Sequence, residues 1–463
     1  MQQFFGDLTN LKAGMVERSE SAADLVESCA QVVETRLKTT ETEPEKAILA
    51  GLVTETGTER DEASLEELQR LAETAGAQVV TSCVQKKDKP DAAFFLGRGK
   101  VQELALTVQS LGATLLLLDD EITPSQQRNL EMALGIKVID RTALILDIFA
   151  QRARTKEGKL QVELAQLRYN LPRLGGMGYV LSRQGGGIGS RGHGESKLEM
   201  DRRRIRTRIH VVKQQIKEVQ KNRALHRQRR RASRLPLVAL VGYTNAGKST
   251  LLNRLTGAEA FAEDKLFATL DPLTRQLTLP EGQTALVTDT VGFIQKLPHT
   301  LVPAFQATLE EVQEADLLLH VVDAASEHAE QQIASVIEVL REIGVEKKPM
   351  IYVFNKADTL EKMPSGEPVS AGAALLRDRN SVLVSAQEGT GIASLLEKVE
   401  GFCRQQRTTM ELLLPFSEGA LLNELHTQQA VEQEEYTANG VHLLVCVDAK
   451  MAVLCQPYRI AAE

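Results

Sequence analysis

The chain has 463 residues, of which 43% are hydrophobic and 25% charged, and its net charge is −7. This length predicts several domains with cores of their own, and the composition is that of ordinary globular protein. The five cysteines are scattered without a Cys-x-x-Cys pair, which argues against a disulfide framework and a zinc site and is typical of a reducing cytosol.

No targeting or membrane-spanning segment is expected. The N-terminus lacks the basic start and long apolar core of a signal peptide. The apolar runs at residues 115–118 and 317–322 are too short to cross a bilayer and read as buried strands. We therefore expect a cytoplasmic protein.

The first part of the chain combines an arm with a small α/β domain. Residues 1–45 are polar and acidic and are predicted to be an appended arm. Strand and helix patterns alternate through residues 46–141, which predicts a small, mostly parallel sheet. The glycine-containing residues 95–100 lie between a strand and a helix, and a simple turn is favoured there over an anion site.

Residues 142–234 are predicted to be an antiparallel helical hairpin. Two apolar stripes step by three and four residues along similar lengths, which favours two helices packed on each other. The stripes are Leu160, Leu164, Leu167, Leu171, Leu174 and Ile205, Ile209, Val212, Ile216, Val219. The tip at residues 175–195 is rich in glycine but also carries arginine, glutamine and histidine, which a merely flexible linker does not need.

The second helix of the hairpin is strongly basic. Its Lys and Arg residues outside the stripe are Arg202, Arg203, Arg204, Arg206, Arg208, Lys213, Lys217 and Lys221. A solvated face is the simpler interpretation, but the near absence of compensating acids favours contact with RNA phosphates. Few aromatic residues are available for base stacking, so recognition of folded RNA by shape fits better than single-strand recognition.

The sequence from 235 to 405 has the pattern of a nucleotide-binding domain. Gly242-Tyr-Thr-Asn-Ala-Gly-Lys-Ser249 follows an apolar strand and opens a helix, as a phosphate-binding loop does. Its glycines let backbone N–H groups converge on an anion, Lys248 can reach the outer phosphates, and Ser249 can hold Mg²⁺. Asp289 is placed to hold Mg²⁺ through water, and the Gly292 amide to sense a γ-phosphate.

A second group of motifs predicts that the base is guanine. The Asp358 carboxylate can accept hydrogen bonds from the ring N–H and the exocyclic amine of guanine, which adenine does not offer. Asn355 can tie the base edge to the phosphate loop, Lys356 can lie along the base plane, and the Ala386 amide, next to Ser385, can donate to the guanine oxygen. A phosphoryl-transfer kinase would leave these residues unexplained.

The motifs together resemble the HflX family, which belongs with the Obg-like, translation-factor-related GTPases. The resemblance rests on residues 158–167, 185–195 and 266–275 and covers the chain from about residue 47 onward. One departure is His193, where the family usually has proline. The resemblance implies a GTPase that binds the large ribosomal subunit and its RNA and helps to split or recycle stalled or idle ribosomes. A GTPase acting in subunit assembly or tRNA modification is the alternative.

The expected fold is a multidomain α/β protein, with a P-loop GTPase domain between the hairpin and a small α+β domain at residues 406–463. We expect GTP or GDP and Mg²⁺ as ligands, a monomer, and no DNA partner. Ser249 and Thr269 are expected to bind the metal directly and Asp289 through water, with Thr274 as the alternative threonine. Lys248, Thr269 and Gly292 are the expected catalytic residues. The residues assigned to the nucleotide are Gly242, Tyr243, Thr244, Asn245, Ala246, Gly247, Lys248, Ser249, Thr250, Asp289, Gly292, Asn355, Lys356, Asp358, Ser385 and Ala386.

Intrinsic hydrolysis is expected to be slow. Many related GTPases carry Gln or His after the Asp-x-x-Gly motif to orient the attacking water, whereas this chain has Phe293. No arginine is obviously placed as an internal finger, although Arg275 is close in sequence. Stimulation by the ribosome is therefore expected.

Overall fold

The computed structural model describes residues 44–53, 58–87, 89–174, 193–233, 235–257, 266–296, 306–360, 380–405, 408–427, 430–447 and 449–460. The arm predicted at residues 1–45 lies outside these ranges except for its last two residues. The predicted tip is described only from residue 193 onward.

The N-terminal α/β domain is a parallel sheet with helices on both faces. Its strands are β1 (Lys46–Val53), β2 (Gln78–Lys86), β3 (Leu115–Leu118) and β4 (Lys137–Asp140). Its helices are α1 (Thr58–Ala75), α2 (Arg98–Leu111), α3 (Pro124–Leu134) and α4 (Arg141–Arg152). The strand order is β2-β1-β3-β4 with every pairing parallel, as the alternating pattern predicts.

Each face of this sheet has its own core. One core contains α2 and α3, and the other contains α1 and α4 together with residues from the nucleotide-binding domain. Helix α4 was not predicted from the sequence. Its N-cap is Asp140, whose Oδ1 accepts a hydrogen bond of 2.9 Å from the Ala143 amide, and the helix buries Ile145, Ile148 and Phe149.

Helices α5 (Lys156–Arg173) and α6 (His193–Ser233) pack on each other through the predicted apolar stripes. Leu160 and Leu164 of α5 form a buried cluster with Val212 and Ile216 of α6. Helix α6 begins at His193, so the last three residues of the predicted tip are helical.

The nucleotide-binding domain is a six-stranded sheet, counting the strands of the described residues. Its strands are β5 (Leu237–Gly242), β6 (Leu273–Thr278), β7 (Thr284–Asp289), β8 (Leu317–Asp323), β9 (Met350–Asn355) and β10 (Ser381–Leu383). Its helices are α7 (Lys248–Thr256), α8 (Gln306–Glu314), α9 (Ala329–Glu342), α10 (Ala357–Leu360) and α11 (Ile392–Gln405). The order is β10-β9-β8-β5-β7-β6, and only β6 runs antiparallel. The carboxyl ends of the parallel strands meet at one edge, where such sheets bind ligands.

The C-terminal α+β domain contains an antiparallel sheet in the order β11-β13-β12. Its elements are β11 (Thr408–Leu414), α12 (Gly419–Thr427), β12 (Val431–Thr437), β13 (Gly440–Val447) and α13 (Ala449–Cys455). Strand β12 was not predicted from the sequence, because three of its seven residues are glutamate and five are exposed, so no alternation of apolar and polar residues marks it. None of the helices described combines the length and apolarity of a bilayer-spanning segment.

Candidate functional site

The loop between β5 and α7 has the backbone of an anion-binding loop. Gly242 and Gly247 have φ values of 151° and 88°, which favour glycine. A Cβ atom at Gly242 would lie 2.2 Å from the carbonyl oxygen of Val321, and one at Gly247 would lie 2.2 Å from Nδ2 of Asn355. Both glycines are therefore required by the close packing of the loop on β8 and β9.

Lys248 is a buried cation held by the loop itself. Its side chain is 6% exposed, and Nζ donates to the carbonyl oxygens of Gly242 at 3.1 Å and Tyr243 at 2.7 Å. Burial lowers the pKa of Lys248 to about 8, although the nearby Asp289 carboxylate acts in the opposite direction. An anion placed in this loop would stabilise the charged form of the lysine.

Three side-chain oxygens converge where the metal is predicted. The Ser249 and Thr269 hydroxyls lie 2.8 Å apart and donate to Asp289 Oδ2 over 2.6 and 2.7 Å. Asp289 Oδ1 is buried and has no hydrogen-bond partner among the described residues. Burial raises the pKa of Asp289. Carboxylate and hydroxyl oxygens with an unused acceptor form a donor set that suits Mg²⁺.

The two threonines considered as metal ligands, Thr269 and its alternative Thr274, lie in different surroundings in the structure. Thr269 contacts Ser249 and Asp289, whereas the Thr274 hydroxyl lies on β6 and donates to Thr288 Oγ1 over 3.2 Å. Arg275, the following residue, is exposed.

The Gly292 segment lies directly against the phosphate-binding loop. The Thr244 amide donates to the Phe293 carbonyl at 2.8 Å, and the Phe293 amide donates to the Gly242 carbonyl at 3.1 Å. A Cβ atom at Gly292 would lie 2.7 Å from the Thr244 Cα and 2.9 Å from Lys248 Nζ. Phe293 is buried beside Tyr243 and presents no polar group.

A small cavity of about 50 Å³ lies among these elements. Its lining combines the loop with the Thr269 and Gly292 segments: Thr244, Asn245, Gly247, Lys248, Ser249, Thr250, Phe267, Ala268, Thr269, Thr290 and Gly292. The buried Thr244 hydroxyl has no hydrogen-bond partner among the described residues.

The predicted base-binding residues also come together at this edge of the sheet. Asn355 Nδ2 donates to the Ala246 carbonyl at 2.9 Å, and Asn355 Oδ1 accepts from the Ala386 amide at 3.0 Å. Asp358 Oδ1 accepts a 2.6 Å hydrogen bond from the Ser385 hydroxyl. Asn355 therefore joins the phosphate-binding loop to the Ser385 loop.

Lys356 and Arg254 complete the frame of the base site. Lys356 has a φ of 66° and its Nζ lies 2.7 Å from Asp323 Oδ2. Arg254, near the end of α7, donates to the carbonyl oxygens of Ala386, at 3.0 Å, and of Gln387.

Tyr243 differs from the other loop residues because its side chain leaves the cavity. Its hydroxyl donates to Glu67 Oε1 on α1 at 2.7 Å and accepts from the Gln295 amide at 2.7 Å. The tyrosine thus connects the loop, the segment after Gly292 and the N-terminal α/β domain.

Around this tyrosine lies an ionic network that sequence reasoning missed. Arg141, 1% exposed, pairs with Glu67 and with Asp119 Oδ1, the latter at 2.8 Å. Lys296 bonds Asp119 Oδ2 at 2.6 Å and Asp120 at 3.1 Å. The partners are far apart in the chain, and no local spacing signals their contact.

Three family models match successive parts of the chain. Residues 62–150 match the family described as GTP-binding GTPase N-terminal, residues 152–230 the GTP-binding GTPase Middle Region, and residues 237–356 the 50S ribosome-binding GTPase. GTPase HflX of Caldanaerobacter subterraneus is 49% identical over 397 residues, which cover 86% of this chain and 90% of that protein. The chain belongs to the HflX family of GTPases. GTPase HflX of Escherichia coli is 44% identical and covers 82% of this chain and 89% of its own length.

Membership of the HflX family confirms the resemblance and the hydrolase class predicted from the motifs, so the protein is a GTPase. Among solved structures, a GTP-binding protein from Sulfolobus solfataricus in complex with GDP is 26% identical. It covers 78% of this chain and 99% of its own, with a TM-score of 0.40. That superposition is too weak to transfer details of the complex.

Proposed function

We propose that this GTPase binds the large ribosomal subunit through its helical hairpin and promotes the splitting or recycling of stalled or idle ribosomes. The observation that supports this most strongly is the basic face of α6. Its exposed cations among the described side chains are Arg203, Arg204, Arg206, Arg208, Lys213, Lys217 and Lys221. The match of residues 237–356 to a 50S ribosome-binding family agrees with it.

The charge on this face is largely available to a partner. Lys213, Lys217 and Lys221 are spaced four residues apart, and none has an ion-pair partner among the described residues. Arg208 pairs with Glu163 of α5, and two exposed pairs on α6 itself join Arg204 to Asp201 at 3.5 Å and Arg206 to Glu199 at 3.6 Å. A row of unpaired lysines on one helix suits the phosphates of folded RNA, whose attraction depends on charge rather than on sequence.

The nucleotide site suits GTP with Mg²⁺. Ser249 and Thr269 would hold the metal directly and Asp289 through water, and the metal would neutralise charge developing on the β- and γ-phosphates. Lys248 would hold the outer phosphates, and the Gly292 amide would report the presence of the γ-phosphate. Asp358, Asn355, Lys356 and Ala386 would select guanine.

Co-sedimentation of the full chain with isolated subunits and intact ribosomes tests the proposal, with GDP in one series and a non-hydrolysable GTP analogue in the other. We expect the protein to pellet with the large subunit more strongly with the analogue, and intact ribosomes to yield free subunits. Binding only to small-subunit precursors or to tRNA would favour the alternative role in assembly or modification. A cytoplasmic location follows from the ribosomal role.

A further inference from the structure

The segment that carries Thr269 is bound on its other side to the first helix of the hairpin. Asp271, two residues after Thr269, accepts hydrogen bonds at Oδ2 from the amides of Arg154, at 3.0 Å, and Thr155, at 2.8 Å. Its Oδ1 accepts from the Thr155 hydroxyl. Thr155 is the N-cap of α5 and accepts from the Gly158 amide at 3.0 Å. The carboxylate therefore lies at the positive end of α5, where negative charge is favourable.

The Asp271 carboxylate packs closely against the first turn of α5. A Cβ atom at Gly158 would lie 2.4 Å from Asp271 Oδ1. The helix can therefore approach the carboxylate this closely only because residue 158 is glycine.

Apolar side chains hold the same segment against the N-terminal domain and α5. Leu266, Phe267 and Leu270 are buried in a core that includes residues of α4 and α5. Phe267 meets Phe149 of α4 edge to face, with ring centroids 4.8 Å apart. Thr269 points the other way, to Ser249 and Asp289, so one short segment contacts both the predicted metal site and the base of the hairpin.

Helix α5 is in turn bound to the basic helix α6. Besides the apolar cluster, Arg208 of α6 makes two hydrogen bonds to Glu163 of α5. Arg223 of α6 contacts Glu157 of α5 at 3.1 Å and Glu311 of α8 at 2.9 Å. A shift at the start of α5 therefore reaches α6 through direct contacts.

We propose that Asp271 couples the nucleotide state to the helical hairpin. When Thr269 is fixed by the metal of bound GTP, Asp271 is held against the start of α5. When Thr269 is released in the GDP state, this attachment weakens and α5 and α6 change their position relative to the site. Asp271 is a positioning residue and does not touch the reacting atoms. The coupling rests on the proposed metal-binding role of Thr269, and its effect on ribosome binding rests on the proposed function.

Hydrogen exchange of the backbone amides over residues 153–159 measures the coupling without ribosomes. In the full-length protein we expect slower exchange with a GTP analogue than with GDP, by about fivefold or more, the lower end of ordinary allosteric coupling. Asp271→Ala, or Asp271→Asn if the alanine variant is unstable, should remove the difference. Gly158→Ala should reduce the same difference, because the added Cβ atom on α5 would push against the Asp271 carboxylate.

Asp91→Ala is the matched control. Asp91 accepts two backbone hydrogen bonds, from the amides of Ala93 and Phe94, at a turn of the N-terminal domain. The Asp91→Ala variant should show the same nucleotide-dependent difference in exchange as the wild type. Nucleotide affinity, measured on every variant, establishes that the phosphate-binding loop is intact.

The outcomes separate the coupling from the ribosomal assignment. No nucleotide-dependent exchange in the wild type, or a difference that survives in a folded Asp271 variant, would overturn the coupling. If it is correct and the ribosomal function holds, the Asp271 variant should bind large subunits equally with both nucleotides. Nucleotide-dependent exchange in a wild type that binds no subunits would support the coupling and contradict the ribosomal function.

Discussion

Asp358 is the residue on which the proposed selection of guanine depends. Its carboxylate accepts a hydrogen bond from the Ser385 hydroxyl, and it lies in α10, three residues after Asn355, which donates to the Ala246 carbonyl. Asp358→Asn replaces an acceptor by a donor, so the preference should move from GTP to xanthosine triphosphate, by on the order of 10⁴-fold for a site built on such hydrogen bonds. Competition binding with the two nucleotides measures the change.

The control for this exchange is Asp316→Asn, which alters a carboxylate that accepts a 2.8 Å hydrogen bond from the Leu237 amide at the start of β5. It should keep the preference for guanine. Retention of wild-type GTP affinity in the Asp358 variant would show that the base site is elsewhere.

Lys248 is expected to make nucleotide binding depend on pH. Because burial lowers its pKa to about 8 in the free protein, part of the lysine is neutral above that pH. Bound phosphates favour the charged form and raise the pKa again, so binding should take up a proton, and affinity should fall as pH rises through about 8. Calorimetry at about pH 9 in buffers of different ionisation enthalpy measures this uptake.

Lys248→Arg is the informative variant because a guanidinium stays charged at this pH. This variant should bind the nucleotide more weakly than the wild type, and its binding should take up fewer protons. Equal proton uptake by the two proteins would mean that another group titrates.

Single residues were predictable where the chemistry is local. The glycines, Lys248 and Ser249 fall within eight consecutive residues, and backbone geometry alone demands their spacing. The contacts of Tyr243 with Glu67 and of Asp271 with Thr155 join residues more than a hundred positions apart. Such contacts depend on how two domains pack, which periodicity does not encode.

At the scale of elements, α6 carries the prediction for RNA binding. Changing Lys213, Lys217 and Lys221 together to Gln removes three exposed, unpaired charges. Affinity for the large subunit should fall, and the slope of log affinity against log salt should decrease in magnitude by about 2–3. Titration of binding against salt concentration measures the slope.

Changing Lys86, Lys89 and Lys347 to Gln removes the same charge from exposed positions outside the hairpin. This variant should bind nearly as the wild type does. An equal loss in both triple variants would indicate a general charge effect and remove the support for a hairpin interface.

Helices with a clear periodicity of apolar residues were predictable from the sequence. A polar, exposed strand such as β12 was not. The hairpin stripes lead directly to the observed cluster of Leu160, Leu164, Val212 and Ile216. Strand β12 has five exposed residues among its seven, and its place is decided by pairing with β13. Its neighbours, rather than its own composition, make it a strand.

At the scale of the whole molecule, Arg141 connects the N-terminal domain with the nucleotide site. Arg141→Met leaves Glu67 buried without its cation and leaves Asp119 paired with Lys296 alone, and loss of one partner of a buried pair costs about 3–5 kcal/mol. The free energy of unfolding from chemical denaturation should fall by that amount. Arg341→Met removes the exposed pair with Glu346 and should cost less than about 1 kcal/mol. Equal costs would show that the network contributes no special stability.

We expect the GTPase to work as a switch whose hydrolysis is stimulated by the ribosome. Phe293 stands after Gly292 and is buried with Tyr243, so it cannot orient water. Arg275 is exposed on β6. Among the described residues, the predicted phosphate site therefore has few groups that could position the attacking water.

Single-turnover GTP hydrolysis with and without large ribosomal subunits measures this stimulation. We predict slow hydrolysis by the protein alone and acceleration by on the order of 10²-fold or more with large subunits, which is the scale of one added stabilising group. Small subunits should have little effect. Fast hydrolysis by the isolated protein that large subunits leave unchanged would contradict the account.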